Sequence, residues 1–391
     1  MKSAEIVIIG GGVVGASVAY HLTKRGCRDV LILEREDALG HGSTGKATGG
    51  VRAQFETDIN IKLSLYSLDF FRDWDFDCEY EPRGYLFLAT EEKHFEYLKR
   101  TSERQRSLGY HDVEIVDAAA IGELVPGLNC EDIAGGSFGP RDGFINPLAV
   151  LEGFMVEAAM KGARVRTSAL VRSIDVKGGR VTGVRTSEGR VDCKKVVVCS
   201  GAWARTVAAT ANVDLPVEPQ RRQIVWAKAA DPLPPKLPMV IDISNGFHFR
   251  PARDFHATAD AADGRDVLFA YPDPNEPAGF STDFDEAFIE KVAEKACHRA
   301  PFLAGASIVY EKCRAGLYEN SPDHHAILGG CEVDGLYLAN GFSGHGVMHS
   351  PATGRALAEI ILDGEASFLD VSSLHIDRFA NGELLHETAF I

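Results

Sequence analysis

The sequence predicts an α/β protein of two domains, from three observations. Residues 6–9 form a β-branched run, which is typical of a strand buried on both faces of a parallel sheet. Three glycines follow, after which Val14, Val18 and Leu22 recur at helical spacing, and a second apolar run spans residues 30–33. The chain has 391 residues and is 45% hydrophobic, enough to bury more than one core.

Charge and composition exclude several classes of protein. The formal net charge is −15 and the basic residues are scattered, which disfavours nucleic acid and anionic membrane surfaces as partners. No apolar stretch approaches the roughly 18 residues of a membrane span, so we expect a cytoplasmic protein. The eight cysteines form no C-x-x-C pair, and the adjacent His324 and His325 cannot face the same way, so no metal site is predicted.

The first turn carries the pattern G-x-G-x-x-G at Gly10, Gly12 and Gly15. In this pattern the first glycine permits the turn, the second admits a pyrophosphate, and the third lets the helix pack on the strand. Glu34 ends the second strand about 20 residues further on, where a carboxylate can bind a ribose. A dinucleotide, NAD or FAD, is therefore predicted; the alternative is that the glycines only serve a tight turn.

The segment from Gly40 to Phe55, "GHGSTGKATGGVRAQF", favours FAD over NAD. A long loop of glycine, serine and threonine after the acidic residue can run beneath a flavin instead of returning at once to a third strand. The segment also contains Arg52, the first candidate for the reactive face.

Four further motifs extend the pattern along the chain: "STGKATGGVRAQFETDIN", "VVVCSGAW", "GLYENSPDHHAILG" and "GLYLANGFSGHGVMHSPATG". With "GGGVVG" they resemble the flavin-dependent amine oxidoreductases of the D-amino acid oxidase superfamily, particularly the branch of sarcosine oxidase and the dye-linked L-proline dehydrogenase β-subunit. The resemblance implies a Rossmann-like FAD-binding domain of discontinuous segments, 1–80, 145–215 and 315–391. It also implies an α+β substrate domain with a mixed sheet, 81–144 and 216–314.

The resemblance further implies which residues bind FAD. Val171 would contact the adenine end, Gly201 would lie near the dinucleotide, and the 43–49 segment would follow the ribityl chain and ring. A helix starting near residue 346 and continuing through Leu357 could aim amide hydrogens at the flavin pyrimidine. The full implied set is Gly10, Gly12, Val13, Val14, Gly15, Glu34, Arg35, Ser43, Thr44, Lys46, Gly49, Gly50, Val171, Gly201, Trp203, Gly316, Gly344, His345, Gly346, Val347 and Met348.

Three departures from the relatives shape the expected redox chemistry. Gly316 stands where monomeric sarcosine oxidases hold FAD on a cysteine, so non-covalent FAD is expected, although Cys313 is three residues away. Asn146 stands where heterotetrameric sarcosine oxidases hold FMN on a histidine, which leaves open only non-covalent FMN at a subunit interface. The lysine that promotes the reaction with oxygen falls on Leu268 or Phe269, which favours a dehydrogenase over an oxidase.

The substrate carboxylate needs a cationic or hydroxyl partner, and Arg52 is the leading candidate; the alternative is that Arg52 only packs against the flavin edge or an acid. Met348 and Tyr318 replace the lysine and arginine that bind carboxylate in sarcosine and glycine oxidases, respectively. The candidate replacements are Tyr318, Tyr271, His248 and Arg250. His345 is expected either to orient substrate or tune a proton, or to make a structural hydrogen bond to backbone.

These residues predict a FAD-dependent oxidoreductase. It would oxidise the C–N bond of a proline-like, sarcosine-like or glycine-like amino acid by hydride transfer to flavin N5. The alternatives are a FAD-dependent 2-hydroxy acid oxidoreductase, or a flavoprotein subunit or assembly factor without its own small substrate. A second subunit or an electron-acceptor protein remains open as a partner.

Overall fold

The computed structural model describes residues 3–253 and 263–387. Its strands are β1 (Ile6–Ile9), β2 (Val30–Leu33), β3 (Gly50–Val51), β4 (Tyr85–Ala89), β5 (Glu114–Val116), β6 (Gly135–Gly139), β7 (Gly143–Phe144), β8 (Arg164–Arg166), β9 (Val171–Lys177), β10 (Arg180–Thr186), β11 (Gly189–Asp192), β12 (Lys195–Val198), β13 (Glu218–Lys228), β14 (Met239–Asp242), β15 (His248–Pro251), β16 (Asp266–Ala270), β17 (Ser307–Ile308), β18 (Arg314–Asn320), β19 (Ile327–Gly330) and β20 (Leu336–Asn340). Its α-helices are α1 (Val13–Lys24), α2 (Ser43–Lys46), α3 (Asp58–Asp73), α4 (Glu92–Ser107), α5 (Ala118–Leu124), α6 (Pro147–Met160), α7 (Ala204–Ala209), α8 (Ala287–Arg299), α9 (Gly346–Asp363) and α10 (Asp377–Asn381).

A six-stranded sheet in the order β19-β20-β12-β1-β2-β8 forms the first half of the fold. Its strands run parallel except for the antiparallel pair β19 and β20. All four residues of β1 are buried, as its unbroken β-branched run requires. The predicted strand, turn and helix at the N-terminus are confirmed, and so are the later strands predicted at residues 196–198 and 336–339.

Helices α6 and α9 pack against α1 on one face of this sheet. The approach of α1 and α9 is close because Gly354 faces Ser17, whose hydroxyl donates to the Ser350 carbonyl at 2.7 Å. The predicted helix near residue 346 is confirmed and is longer than expected, since it ends only at Asp363. Among the helices that the structure describes, none combines the length and apolar character that a membrane crossing requires.

The second half is a nine-stranded mixed sheet in the order β17-β13-β16-β15-β14-β4-β6-β5, with β18 also paired to β13. Among its described strand pairs, only β14 and β4 run parallel. One face packs with α5 and α8 in a core that includes Leu86, Val225 and Phe288. The other face turns towards the six-stranded sheet and forms one wall of the cavity described below. The predicted α/β class with a mixed second sheet is confirmed.

The division into domains remains a prediction. Every strand of the six-stranded sheet comes from a segment assigned to the FAD-binding domain. Strand β18, however, lies at the start of the last of those segments and pairs with β13 of the larger sheet. Two small sheets, β11-β10-β9 and β3-β7, complete the fold.

Candidate active site

One long cavity runs from the carboxyl ends of β1 and β2 to the open face of the nine-stranded sheet. It brings together nearly all the residues that the sequence singled out, although they come from distant parts of the chain. The implied FAD-binding residues line it except Gly15, and Arg52, His248, Tyr271, Tyr318 and His345 line it as well.

The three glycines of the first turn meet three different constraints. Gly10 has a φ of +113°, which only glycine adopts readily, and a side chain there would overlap the Cys199 carbonyl. A Cβ at Gly15 would overlap the Gly10 carbonyl, so this glycine lies in the packing of α1 on β1 and not in the cavity wall. Gly12 precedes α1, and a Cβ there would meet only the Thr44 hydroxyl, at 3.3 Å. Gly12 therefore leaves open space at the positive end of the helix, which is where a dinucleotide pyrophosphate fits.

Glu34 holds this turn in place from the end of β2. One carboxylate oxygen accepts the Gly11 N–H at 2.7 Å and the other accepts the Glu36 N–H at 2.9 Å. A carboxylate has further lone pairs, so Glu34 can still accept hydrogen bonds from a ribose. The sequence predicted only the ribose contact and not this structural one.

The far end of the cavity is lined by flat and small side chains. The Arg35 guanidinium lies 3.4 Å from the centre of the Trp203 ring, and the other neighbour of that indole, Phe280, stacks at 5.6 Å. Val171 and Gly201 line the cavity nearby. A planar base fits this end, because its neighbours are flat or small.

The loop that was expected to pass beneath a flavin crosses the middle of the cavity. The Ser43 hydroxyl donates to the Leu317 carbonyl at 2.6 Å, and the Thr44 hydroxyl accepts the Val13 N–H at 3.1 Å. Gly50 leaves room for the Tyr85 hydroxyl. These contacts fix the loop to α1, β18 and the larger sheet, so its backbone can support a cofactor without rearranging.

Arg52 is the most unusual charged group of the cavity. Its side chain is buried, with 3% exposure, and its guanidinium carbon lies 3.9 Å from the Phe55 ring centre. It donates a hydrogen bond to the Gln54 carbonyl, but within the described ranges no carboxylate lies within 4.0 Å of it. Burial lowers its pKa, because an unpaired charge is disfavoured away from water.

Asp142 fixes the backbone beside Arg52. Its carboxylate accepts the Ala53 N–H at 2.8 Å, the Gln54 side-chain amide at 2.9 Å and the Tyr110 hydroxyl at 2.9 Å. Burial raises the pKa of Asp142 to about 7. The position of Arg52 is therefore set by a buried network and not by a mobile loop.

Tyr318 and His345 stand on neighbouring walls. The Tyr318 ring fills the space that a side chain at Gly344 would need. His345 immediately precedes α9, and its buried Nε2 has no partner among the described residues. Burial, with the charge of Arg52, holds the pKa of His345 well below its usual value, so the ring is neutral.

The other expected carboxylate partners differ in their placement. His248 lines the cavity with Nδ1 bonded to the Gly246 carbonyl at 2.9 Å, and burial lowers its pKa to about 4. Tyr271 lines the cavity with the Lys295 ammonium 4.5 Å from its ring centre. Arg250 does not line the cavity; it donates to the carbonyls of Pro251 and Thr48 and packs on Phe144.

Four of the positions considered for redox chemistry lie outside the cavity wall. Leu268 and Phe269 are buried in the sheet, and Ala270 is the β16 residue that lines the cavity. Asn146 does not line the cavity; its side chain caps α6 by accepting from Leu148 and Ala149. Cys313 lies outside the cavity wall, where its sulfur accepts the Trp226 N–H at 3.4 Å.

The lining residues that the sequence did not single out include two ionisable ones, Arg222 and Glu319. Arg222 follows another arginine in β13, and only strand alternation, which places it on the face of Ile224, could have singled it out. Glu319 follows Tyr318 in β18. The backbone N–H groups of Gly341 and Phe342 face its carboxyl, its Oε2 has no partner in the described part of the chain, and burial raises its pKa to about 8.

The raised pKa of Glu319 predicts a pH-dependent stability. Because the folded value lies above that of an unfolded glutamate, its stabilising contribution is present at low pH and is lost as the pH rises through about 8. We expect the wild-type melting temperature to fall more between pH 6 and pH 9 than that of Glu319→Gln, by roughly 2 °C or more. Thermal denaturation of both proteins measures this, with the exposed Glu290→Gln as control for the change in net charge. Parallel curves for wild type and Glu319→Gln would contradict the prediction.

The glycine turn and the flat far end of the cavity are features of a dinucleotide-binding oxidoreductase. The chain belongs to the DAO family of FAD-dependent oxidoreductases, whose family model matches residues 5–360. The chain therefore belongs to a family that uses FAD, and the resemblance drawn from its motifs is confirmed.

Three relatives show how far the similarity extends. The chain is 31% identical to FAD-dependent oxidoreductase domain-containing protein 1 of Xenopus laevis, over 99% of this chain and 84% of that protein. It is 30% identical to 4-methylaminobutanoate oxidase (formaldehyde-forming) of Paenarthrobacter nicotinovorans, over 96% of this chain and 45% of that protein. The crystal structure of L-proline dehydrogenase from P. horikoshii matches with a TM-score of 0.88 and 28% identity, covering 98% of this chain and 100% of that one.

Proposed function

We propose that this protein is a FAD-dependent dehydrogenase that oxidises the C–N bond of a small amino acid with a secondary or N-alkylated amine. The observation that carries the proposal is Arg52, a buried guanidinium without a carboxylate partner that lines the cavity. A substrate carboxylate would supply the missing anion, which a hydroxyl or amine alone would not. The names of two relatives, for 4-methylaminobutanoate and L-proline, denote amino acids of this class.

The residues of the cavity fit FAD. The space above Gly12 suits the pyrophosphate, Glu34 suits the ribose, and the end of the cavity lined by Arg35 and Trp203 suits the adenine. The N-terminus of α9, at Gly346, lies in the wall where it can direct amide hydrogens at the flavin ring. When bound, FAD would accept the two electrons of the oxidation.

The protein's own side chains would bind and orient the substrate. Arg52 holds the carboxylate, and the Tyr318 hydroxyl lies in the same cavity to fix its distance. His345 and His248 are neutral, so they can accept a hydrogen bond from an amine but bind its proton weakly. The amine must then enter in its neutral form, in which its lone pair assists the loss of hydride from the neighbouring carbon.

The part of the cavity wall that β16 forms favours a dehydrogenase over an oxidase. Ala270 occupies that wall, and it offers no positive charge to stabilise superoxide. Lys46, from α2, is the one lysine among the described lining residues, and its side chain lies against Gly316. We expect slow reoxidation by air and a separate electron acceptor, such as a partner protein.

An anaerobic absorbance titration tests the proposal. The purified protein would be mixed with L-proline, sarcosine, D-amino acids and 2-hydroxy acids in turn, and air admitted at the end. We expect bleaching of the flavin by a secondary or N-alkylated amino acid and slow recovery in air. Bleaching by a hydroxy acid alone would replace the amine with an alcohol substrate, fast recovery would indicate an oxidase, and no bleaching by any donor would favour a non-catalytic subunit.

A further inference from the structure

Two adjacent arginines of β13 have opposite environments. Arg221 binds Glu276 with both branches of its guanidinium, at 2.8 and 3.2 Å, and also donates to the Asp283 carbonyl at 2.7 Å. Arg222 lies on the other face of the strand and lines the cavity. Arg221 is therefore an ion-paired arginine outside the cavity, whereas Arg222, the next residue, lies inside it.

Among the residues that the structure describes, no carboxylate pairs with Arg222. Its Nη1 donates to the Arg221 carbonyl at 3.1 Å, and its buried Nε has no acceptor in the described chain. The carboxylates that act on it electrostatically are occupied, because Glu276 binds Arg221 and Asp273 binds Lys291 at 2.5 Å. The side chain therefore presents an unneutralised positive charge to the cavity, which favours binding of an anion there.

Arg222 and Arg52 approach the cavity from different sides. Arg52 packs near Phe87 of β4, 5.4 Å from its ring centre, whereas Arg222 belongs to β13. In the sheet, β16, β15 and β14 lie between these two strands. The Tyr318 ring lies 5.3 Å from the Arg222 guanidinium carbon, and the charges of Arg222 and Arg52 both act on the Tyr318 hydroxyl.

The wall between the two guanidinium groups is mostly apolar. It is formed by Ile224, Ala270, Met239 and Ile241, with His248 as its neutral polar member. A ligand with a single carboxylate would satisfy one guanidinium and leave the other unpaired. The dinucleotide phosphates are expected at the first turn of α1, so they would not reach this end of β13.

We propose that Arg222 binds a second anionic group of the substrate, so that the substrate is an amino acid with a second carboxylate, on its nitrogen substituent or its side chain. This inference rests on the proposed function, since it concerns the same substrate. Charge-assisted, forked hydrogen bonds make arginine selective for carboxylate over an uncharged amide of the same shape.

Matched acids and amides test this proposal. Anaerobic flavin bleaching would be measured with N-(carboxymethyl)glycine and N-(2-carboxyethyl)glycine, each beside the analogue in which the second carboxylate is a primary amide. We expect half-saturation for at least one of the acids at a concentration at least tenfold below that for its amide. Arg222→Gln should reduce this preference to less than twofold, while Arg222→Lys and the control Arg221→Gln should retain most of it.

The result that overturns the inference is an equal response to acid and amide in the wild type, or a preference that survives Arg222→Gln. If sarcosine or L-proline bleaches the flavin and neither acid is preferred, the inference fails and the proposed function stands. If no amine bleaches the flavin, perturbation of the flavin spectrum by succinate and by succinamate tests the anion site separately from the proposed function. An Arg222-dependent preference for succinate retains the anion site without the proposed function, whereas no preference overturns both. Should Arg222→Gln not fold, the wild-type comparison together with Arg222→Lys decides.

Discussion

Replacing Arg52 by alanine is expected to raise the KM for the carboxylate substrate about 30-fold or more. Removing one member of a buried, hydrogen-bonded charge pair costs about 2–5 kcal/mol, and 1.4 kcal/mol corresponds to a factor of ten in binding. The guanidinium has no carboxylate partner within 4.0 Å in the described chain, so the substrate anion would be its main ionic contact. The absorbance spectrum of the bound flavin should change little, because the loop is also held by Asp142.

Steady-state kinetics with the donor found in the anaerobic titration measure this effect. Arg52→Lys keeps the charge but loses the fork, and we expect it to lie between the wild type and Arg52→Ala. Arg250→Gln is the matched control, because Arg250 is also a buried arginine but does not line the cavity. It should lower the melting temperature without a comparable rise in KM. Unchanged kinetics in Arg52→Ala, or an equal rise in Arg250→Gln, would place the carboxylate elsewhere.

The first half of the fold is predictable because its signals are local. The strand, turn and helix at residues 6–24 lie within one short stretch, where hydrophobic periodicity and glycine spacing act directly. The nine-stranded sheet offers no such signal. Strand β4 pairs with β14 across about 150 intervening residues, and nothing in either strand specifies the other.

The candidate site shows the same limit at the scale of single residues. In a strand, a shift of one position reverses the face on which a side chain lies. The resemblance placed the oxygen-activating position at Leu268 or Phe269, whereas Ala270 is the β16 residue that lines the cavity, and the sequence did not show which arginine of β13 faces the cavity. Arg250 was a candidate carboxylate partner because of its residue type, but in the structure it donates to backbone carbonyls. The sequence shows which residue types are present, but the face of the strand on which each side chain lies depends on long-range pairing between strands.

Alanine at Gly12 and at Gly15 should have opposite effects on folding and on FAD binding. At Gly12 the backbone is extended, with φ of −82°, and the added Cβ would meet only the Thr44 hydroxyl at 3.3 Å. Gly12→Ala should therefore fold, but its methyl group would occupy the space through which the pyrophosphate approaches. We expect FAD binding at least tenfold weaker, with a free energy of unfolding of the apoprotein within about 1 kcal/mol of wild type.

At Gly15 the added Cβ would overlap the Gly10 carbonyl oxygen, and this is backbone that cannot turn aside. Helix α1 would have to move away from β1, so we expect a loss of about 3 kcal/mol or more in the free energy of unfolding, or no folded protein. Gly122→Ala, in helix α5 with open space around it, is the control and should be neutral or slightly stabilising. Urea denaturation of the apoproteins and fluorescence titration with FAD separate the two effects. Unchanged FAD affinity in Gly12→Ala would show that the pyrophosphate does not pass over this turn, and wild-type stability in Gly15→Ala would contradict the close packing of α1 on β1.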